Sequence, residues 1–272
     1  MLRYSLAMPR PSLPTPSTTD ETDAIVDTLL TWFASEGTPW PWRQTRDRWR
    51  ILVSEVCLQQ TQVGRAAAHI ERILERFPTA ADLAGAPLSE LLDLWQGLGY
   101  PRRARNLWNA ARVIAGDGWP ADFTDLPGVG PYTAAALSCF ADEEPVLPAD
   151  INTRRVVARL FPTGAPVVAD EAWAWGQAVM ELGQRACRAR ARCGECPVAA
   201  LCPSAGTTEV IASPRQARYE GSMRQRRGVM LRALTESGRT SIADDVEAAR
   251  TLLEDGLATS DGEYLIPQNS LK

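Results

Sequence analysis

From Asp20 onward the apolar residues recur at three- and four-residue spacing, with Ile25, Val26, Leu29, Leu30, Trp32 and Phe33 on one stripe. That is the pattern of an amphipathic helix, with Asp20 as its cap. Gly37 and the run Pro39-Trp-Pro-Trp42 end it. The same periodicity predicts helices over about 46–61, 64–77, 88–97, 101–116, 131–141, 150–161 and 170–186. Turns separate them at Phe77-Pro78, Gly97–Pro101, Gly116–Pro120 and Pro145–Pro148. Few alternating strand patterns occur before residue 205, so this part reads as all-α, helix packed on helix. Residues 205–220 read as a Ser/Thr/Gly/Pro linker. Beyond it, helical patterns over Ser222–Glu236 and about 242–256 precede a hairpin with Asp261-Gly262 at its turn. This order predicts a small winged-helix-like module over 221–272. Residues 1–19, rich in Pro, Ser and Thr, read as a flexible tail with no secretory signal.

No apolar run reaches the ~18 residues of a membrane-crossing helix, so no membrane partner is expected. The chain carries 29 Lys+Arg against 33 Asp+Glu, a net charge of −4, and bulk charge alone argues weakly against a nucleic-acid binder. Distribution matters more. The only lysine is Lys272 and the only histidine is His69, which nearly excludes a lysine Schiff base or a histidine general base.

Of six cysteines, Cys57 and Cys139 stand alone in apolar runs and read as small core residues. Cys187, Cys193, Cys196 and Cys202 crowd into sixteen positions with gaps of five, two and five. Four thiolates at this spacing suit a [4Fe–4S] cluster, or else zinc, and point to a reducing, cytoplasmic setting. Arg185, Arg188, Arg190 and Arg192 surround the first of them, a cationic rim suited to phosphates.

Three segments carry candidate chemistry. In Ile51-Leu-Val-Ser-Glu-Val-Cys-Leu-Gln-Gln-Thr61 a glutamate sits inside a helix that is apolar nearly all round. Burial there disfavours the carboxylate and raises the pKa of Glu55 toward the range of a general acid. A glutamate on the rim of the helix is the competing reading. In Val146-Leu-Pro-Ala-Asp-Ile-Asn-Thr-Arg-Arg155, Asp150 falls where a helix begins. An N-cap is one role for it; an anion held at the positive helix end is another. A protonated and an ionised carboxyl together form the acid/base pair that glycosidic cleavage uses. Finally, Leu126-Pro-Gly-Val-Gly-Pro-Tyr132 is a glycine turn opening a helix, whose exposed N–H groups suit a phosphate.

With these motifs in this order, the chain resembles the helix-hairpin-helix superfamily of base-excision DNA glycosylases, most closely its adenine-specific branch. The likeness runs from about Pro41 to Cys202. It rests on Ser54-Glu-Val-Cys-Leu-Gln-Gln-Thr-Gln-Val63, on Leu94-Trp-Gln-Gly-Leu-Gly-Tyr100 with the following arginines, and on Leu126–Thr133. The resemblance implies that Glu55 protonates a flipped adenine and later helps position water, and that Asp150 stabilises the sugar cation. It implies supporting roles around the sugar for Tyr132 and Asn152. Trp42, Arg43 and Gln177 match positions lining the base pocket, and Gln59 and Gln60 resemble strand-probing glutamines. The hairpin Gly128, Val129 and Gly130 is expected to hold a phosphate of double-stranded DNA containing a mispaired base. The four clustered cysteines are expected to hold a [4Fe–4S] cluster. Tyr132 stands where lyase-competent relatives have a Schiff-base lysine, so the activity implied is monofunctional.

The architecture implied is a six-helix barrel over 41–145 and a cluster lobe formed by 20–40 with 146–204, in a monomer acting in the cytoplasm at the nucleoid. Arg102, Arg103, Arg105, Arg154 and Arg155 are further candidates for phosphate contacts. The chain departs from the branch in several places: the first cysteine gap is five rather than the usual six, Pro101 replaces a wedge tyrosine, and Ile151 follows the aspartate. Members that read 8-oxoguanine carry a longer, Nudix-like C-terminal domain, whereas 70 residues follow Cys202 here. Two alternatives stay open at this point. One is a glycosylase for mismatched thymine, uracil or another altered base; the other is an iron–sulfur DNA-binding protein without turnover.

Overall fold

The computed structural model describes residues 19–207 and 218–268, so the expected N-terminal tail and the middle of the expected linker lie outside the described residues. In chain order the helices are α1 (Thr19–Glu36), α2 (Arg48–Leu58), α3 (Val63–Arg76), α4 (Ala80–Gly85), α5 (Leu88–Trp95), α6 (Arg102–Asp117), α7 (Pro131–Phe140), α8 (Ile151–Leu160) and α9 (Ala172–Arg185). There follow α10 (Met223–Ser237), β1 (Thr240–Ser241), α11 (Val246–Glu254), β2 (Ala258–Ser260) and β3 (Tyr264–Pro267). Among the described residues no helix is long and apolar enough to cross a membrane.

The helices form two compact units. One joins the residues up to Pro39 with the segment from Glu143, and the other joins Trp40–Asp142 with the C-terminal module. In the first, the stripe read from the sequence packs α1 onto α9 and α8. Ile25, Val26, Leu29, Val156, Leu160, Trp175, Val179 and Leu182 form its core. Cys187 and Val198 extend that core, tying the cysteine loop to it.

In the second unit the six helices α2–α7 close around side chains such as Leu52, Ile70, Ile73, Leu91, Leu107, Leu137 and Phe140, all at most 2 % exposed. Helix α4 has no counterpart among the expected elements. It is one and a half turns long, too short to show a stripe, and it is held by a capping box in which Thr79 and Asp82 satisfy each other's backbone N–H groups.

The C-terminal module has α10 packed on α11 over a three-stranded sheet of order β1-β3-β2, with β2 and β3 forming the expected hairpin. Strand β1 has two residues, too few for alternation to register. The helix expected over 242–256 begins at Val246, because Ser241 first caps a 3-10 turn and Asp245 then caps α11.

Candidate active site

Helix α2 begins at Asp47, whose side chain accepts from the Arg50 N–H. Every residue from Ile51 to Cys57 is buried, Glu55 among them at 7 % exposure. The rim reading of this glutamate is therefore excluded. The 3-10 turn Pro41–Arg43 packs on α2 and buries Trp42 and Arg43, while Trp42 stacks on Trp40 at 5.1 Å between ring centres. The end of α2 brings in a third element, since Gln59 Nε2 donates to Thr133 Oγ1 on α7 at 3.2 Å, next to Tyr132. Helix α2, which carries Glu55 and Gln59, thus has the Pro41–Arg43 turn packed on it and is tied to α7 beside Tyr132. Cys139 on α7 lies within electrostatic reach of Glu55. Burial pushes its thiol up to about 12, Arg46 acts to lower it and the Glu55 carboxylate to raise it. Cys57, also pushed up to about 12 by burial, is likewise an inert core thiol.

Helix α2 ends as its C-cap Gln59 turns to ψ +117°; the next residue, Gln60, adopts φ +55°, and Tyr100, in the turn after α5, adopts φ +49°. Both are uncommon backbone conformations for side chains of this size. Arg103 holds the two turns together. Its Nη1 donates to the carbonyls of Val56, Cys57 and Gln59, and its Nη2 to those of Leu98 and Gly99 and to Thr61 Oγ1, at 2.6–3.2 Å. The guanidinium also lies 5.3 Å from the Trp95 ring centre and 5.6 Å from that of Tyr100.

The hairpin between α6 and α7 requires glycine on two counts. Gly128 has φ +79°, and a Cβ there would stand 2.6 Å from Asn106 Cβ on α6. Val129 is buried beneath the turn while Gly128 and Gly130 face solvent. Pro131 opens α7 without wasting an N–H. The result is an exposed helix N-terminus bearing backbone donors, as a phosphate site needs.

In the other unit Asp150 caps α8, accepting from the Thr153 N–H at 2.6 Å. Its second oxygen accepts from Asn152 Nδ2 at 2.9 Å. Asn152 Oδ1 in turn accepts from Arg155 Nη2 at 2.9 Å, and Arg155 Nε donates to the carbonyl of Cys187 at 2.8 Å. A continuous line of hydrogen bonds therefore joins Asp150 to the first clustered cysteine. Gln177 is buried on α9, the helix against which α8 packs. Gly183 on α9 makes the approach possible, because a Cβ there would stand 3.1 Å from Asn152 Cβ.

The cysteine loop is anchored by Arg159, which donates to the carbonyls of Arg188 and Ala189 at 2.7 and 3.0 Å and approaches Cys187 Sγ at 3.5 Å. Burial raises the thiols of Cys196 and Cys202, and the neighbouring sulfurs, Cys187 and Cys193 among them, raise both further. All four are free thiols within electrostatic reach of one another. Arg185, Arg188, Arg190 and Arg192 are exposed around this loop, as a cationic rim requires.

Two expectations need correcting. Arg103 and Arg155, read as phosphate contacts, are 9 % and 4 % exposed and direct their donors at backbone carbonyls inside the protein. They organise the site rather than meeting phosphate. No signal in the sequence marks Thr133 and Arg159, since a one-dimensional pattern does not show the partner a distant Gln59 or Cys187 will find.

The family model for the HhH-GPD superfamily of base excision DNA repair proteins matches residues 53–172. An adenine DNA glycosylase of Mycolicibacterium smegmatis is 37 % identical, over 88 % of this chain and 94 % of its own length. The adenine DNA glycosylase of Mycobacterium tuberculosis is 36 % identical over 94 % and 97 %. Among solved structures, a thermostable thymine-DNA glycosylase superposes with a TM-score of 0.61 at 26 % identity, covering 68 % of this chain and 96 % of that one. Fold, motif order and full-length identity agree, and the chain belongs to the helix-hairpin-helix superfamily of base-excision DNA repair proteins, in the adenine DNA glycosylase family.

Proposed function

We propose that this chain is a monofunctional DNA glycosylase that hydrolyses the N-glycosidic bond of adenine mispaired with 8-oxoguanine or guanine, acting as a monomer on duplex DNA in the cytoplasm. The observation that carries the reading is Glu55: a carboxyl group 7 % exposed on an apolar helix, one turn before Gln59, whose amide ties that helix to α7. The adenine specificity rests on full-length relatives of that name at 36–37 % identity.

In this reading adenine leaves the base stack, and Trp42, Arg43 and Gln177 are the residues that the family resemblance assigns to meeting it. The Glu55 carboxyl gives its proton to a nitrogen of the imidazole ring. The bond from the sugar C1′ to the base then breaks, its electron pair going to the purine. Asp150, fixed in orientation by Asn152 and the Thr153 N–H, faces the resulting oxocarbenium ion. Water adds to C1′, and its proton passes to the Glu55 carboxylate, restoring the acid and leaving an abasic site with free adenine. The hairpin Gly128–Gly130 grips a phosphate so that the flipped nucleotide keeps its register. Tyr132 has no amine for Schiff-base chemistry, so the sugar–phosphate backbone stays intact.

Cys187, Cys193, Cys196 and Cys202 are the residues that would hold a [4Fe–4S] cluster, which supplies cross-linking of the loop and a site for electron exchange. The fit rests on the donor set: four thiols on one loop sharing one electrostatic neighbourhood. The cluster loop carries the cationic rim, and Arg155 ties it to the Asp150 cap.

The direct test is Glu55→Gln. Single-turnover adenine release should fall by about 10²–10⁴-fold, while affinity for mispaired duplex stays within about threefold of the native value. Undiminished release from the variant would remove Glu55 from the chemistry.

A further inference from the structure

Arg159 lies in the last turn of α8, the helix that Asp150 opens, and is 6 % exposed. A cation there complements the negative end of the helix, which is its simplest role. Its donors, however, go to the cysteine loop. Nη1 donates to the carbonyl of Arg188 at 2.7 Å and to Cys187 Sγ at 3.5 Å, and Nη2 to the carbonyl of Ala189 at 3.0 Å. The Arg159 carbonyl accepts from Cys202 Sγ at 3.7 Å. One residue thus touches the first and the last of the four clustered sulfurs. Burial raises the Cys202 thiol, and the Arg159 charge acts against that rise.

We propose that Arg159 tunes the reduction potential of the cluster, holding it above the value that the four cysteines alone would give. This rests on the reading of the cysteines as a [4Fe–4S] site. Reduction adds one electron to the cluster and no proton to Arg159, whose guanidinium is charged in both states. A fixed cation beside a ligand sulfur therefore stabilises the reduced form more than the oxidised one. An N–H donated to that sulfur acts in the same direction, since sulfur gains electron density on reduction.

The surroundings single out this residue. Backbone N–H groups serve the other three sulfurs: Gly206 bonds to Cys193, Val198 to Cys196 and Ser204 to Cys202. Those donors carry no charge. Arg155 is buried too, but its Nε is directed at the Cys187 carbonyl rather than the sulfur. Arg185, Arg188, Arg190 and Arg192 are exposed, so water and salt screen them. Among the described residues Arg159 alone combines a full charge, burial and a hydrogen bond to a clustered sulfur.

The test is a spectroelectrochemical titration of the iron-loaded protein without DNA, the electrode supplying and removing the electron. At a fixed potential the ratio of reduced to oxidised cluster should fall about tenfold in Arg159→Gln, which is about 59 mV for a one-electron couple. Arg159→Lys keeps the charge but not the fork, and its ratio should fall about threefold. Arg190→Gln should stay within about twofold of the native value. Raising the ionic strength from about 0.01 M to about 1 M should also move the native ratio by less than about twofold, because a buried cation escapes screening. Ratios in both Arg159 variants equal to the native one, or a shift in Arg190→Gln as large as in Arg159→Gln, overturn the proposal. So does a native ratio that follows ionic strength, which decides the matter should neither Arg159 variant hold its cluster. A native chain purified without iron–sulfur absorbance overturns the cluster reading instead.

Discussion

Asn152 Nδ2 donates to Asp150 Oδ2 at 2.9 Å while Arg155 occupies the other end of the same amide. Asp150 is therefore a helix cap whose other oxygen is held by a residue two positions on, and that residue is oriented in turn by a buried guanidinium. Capping and catalysis need not compete, since one carboxylate oxygen serves the Thr153 N–H and the other is presented by the amide.

Asn152→Ala removes that second contact and leaves the cap. We expect single-turnover release to fall by about 10²-fold, the size of losing one preorganised donor, with DNA affinity kept within about threefold. A matched fall in affinity and rate would make Asn152 a binding residue rather than a positioning one.

Arg103 makes a stability prediction. Replacing it by Met leaves five carbonyls and a hydroxyl near Gln60 and Tyr100 without their donor, and the cost should be about 3 kcal/mol or more in a denaturant titration. Arg103→Lys should recover only part of this, because an ammonium cannot fork toward both turns. Equal stability of native and Met variants would show that the clamp contributes nothing.

The hairpin can be tested at Gly128. Alanine there meets both the left-handed backbone penalty of about 1–2 kcal/mol and the clash with Asn106 Cβ at 2.6 Å. Combining Gly128→Ala with Asn106→Gly relieves the clash alone, so the double variant should regain part of the lost stability and of the lost duplex affinity. No recovery would mean that the backbone penalty, not the contact with α6, dominates.

Much of the site was legible in the chain because its chemistry is local. Glu55 stands out as the one acid in a continuous apolar run, Gly128 and Gly130 as a turn before Pro131, and the four cysteines as a cluster too dense for chance. Arg103 and Arg155 were legible as charges but not as clamps. An arginine on a helix reads as solvent-facing until separate segments bring several carbonyls to one point, which no periodicity encodes. Helix α4 and strand β1 leave no mark on the pattern for a simpler reason, as six and two residues are too few to show a period.

Alkaline pH should weaken the fold through Cys57 and Cys139. Both thiols stay protonated in the folded chain up to about 12, against 9.0 ordinarily. Between those values unfolding releases a proton, so the stability present below pH 9 drains away as pH rises, by up to roughly 1.4 kcal/mol per pH unit for each thiol. Urea midpoints at pH 8 and about 10 should differ less in a Cys57→Ala/Cys139→Ala variant than in the native chain. Identical slopes would place the alkaline sensitivity elsewhere.

Adenine release by hydrolysis without strand cleavage is tested most directly by a panel of duplexes bearing A:8-oxoguanine, A:G, T:G and U:G pairs, with released bases identified and strands analysed before and after hot alkali. Free adenine is expected from the first two duplexes, none from Glu55→Gln, and strand breaks only after alkali. Release of thymine or uracil without adenine, or a nick formed before alkali, would contradict it.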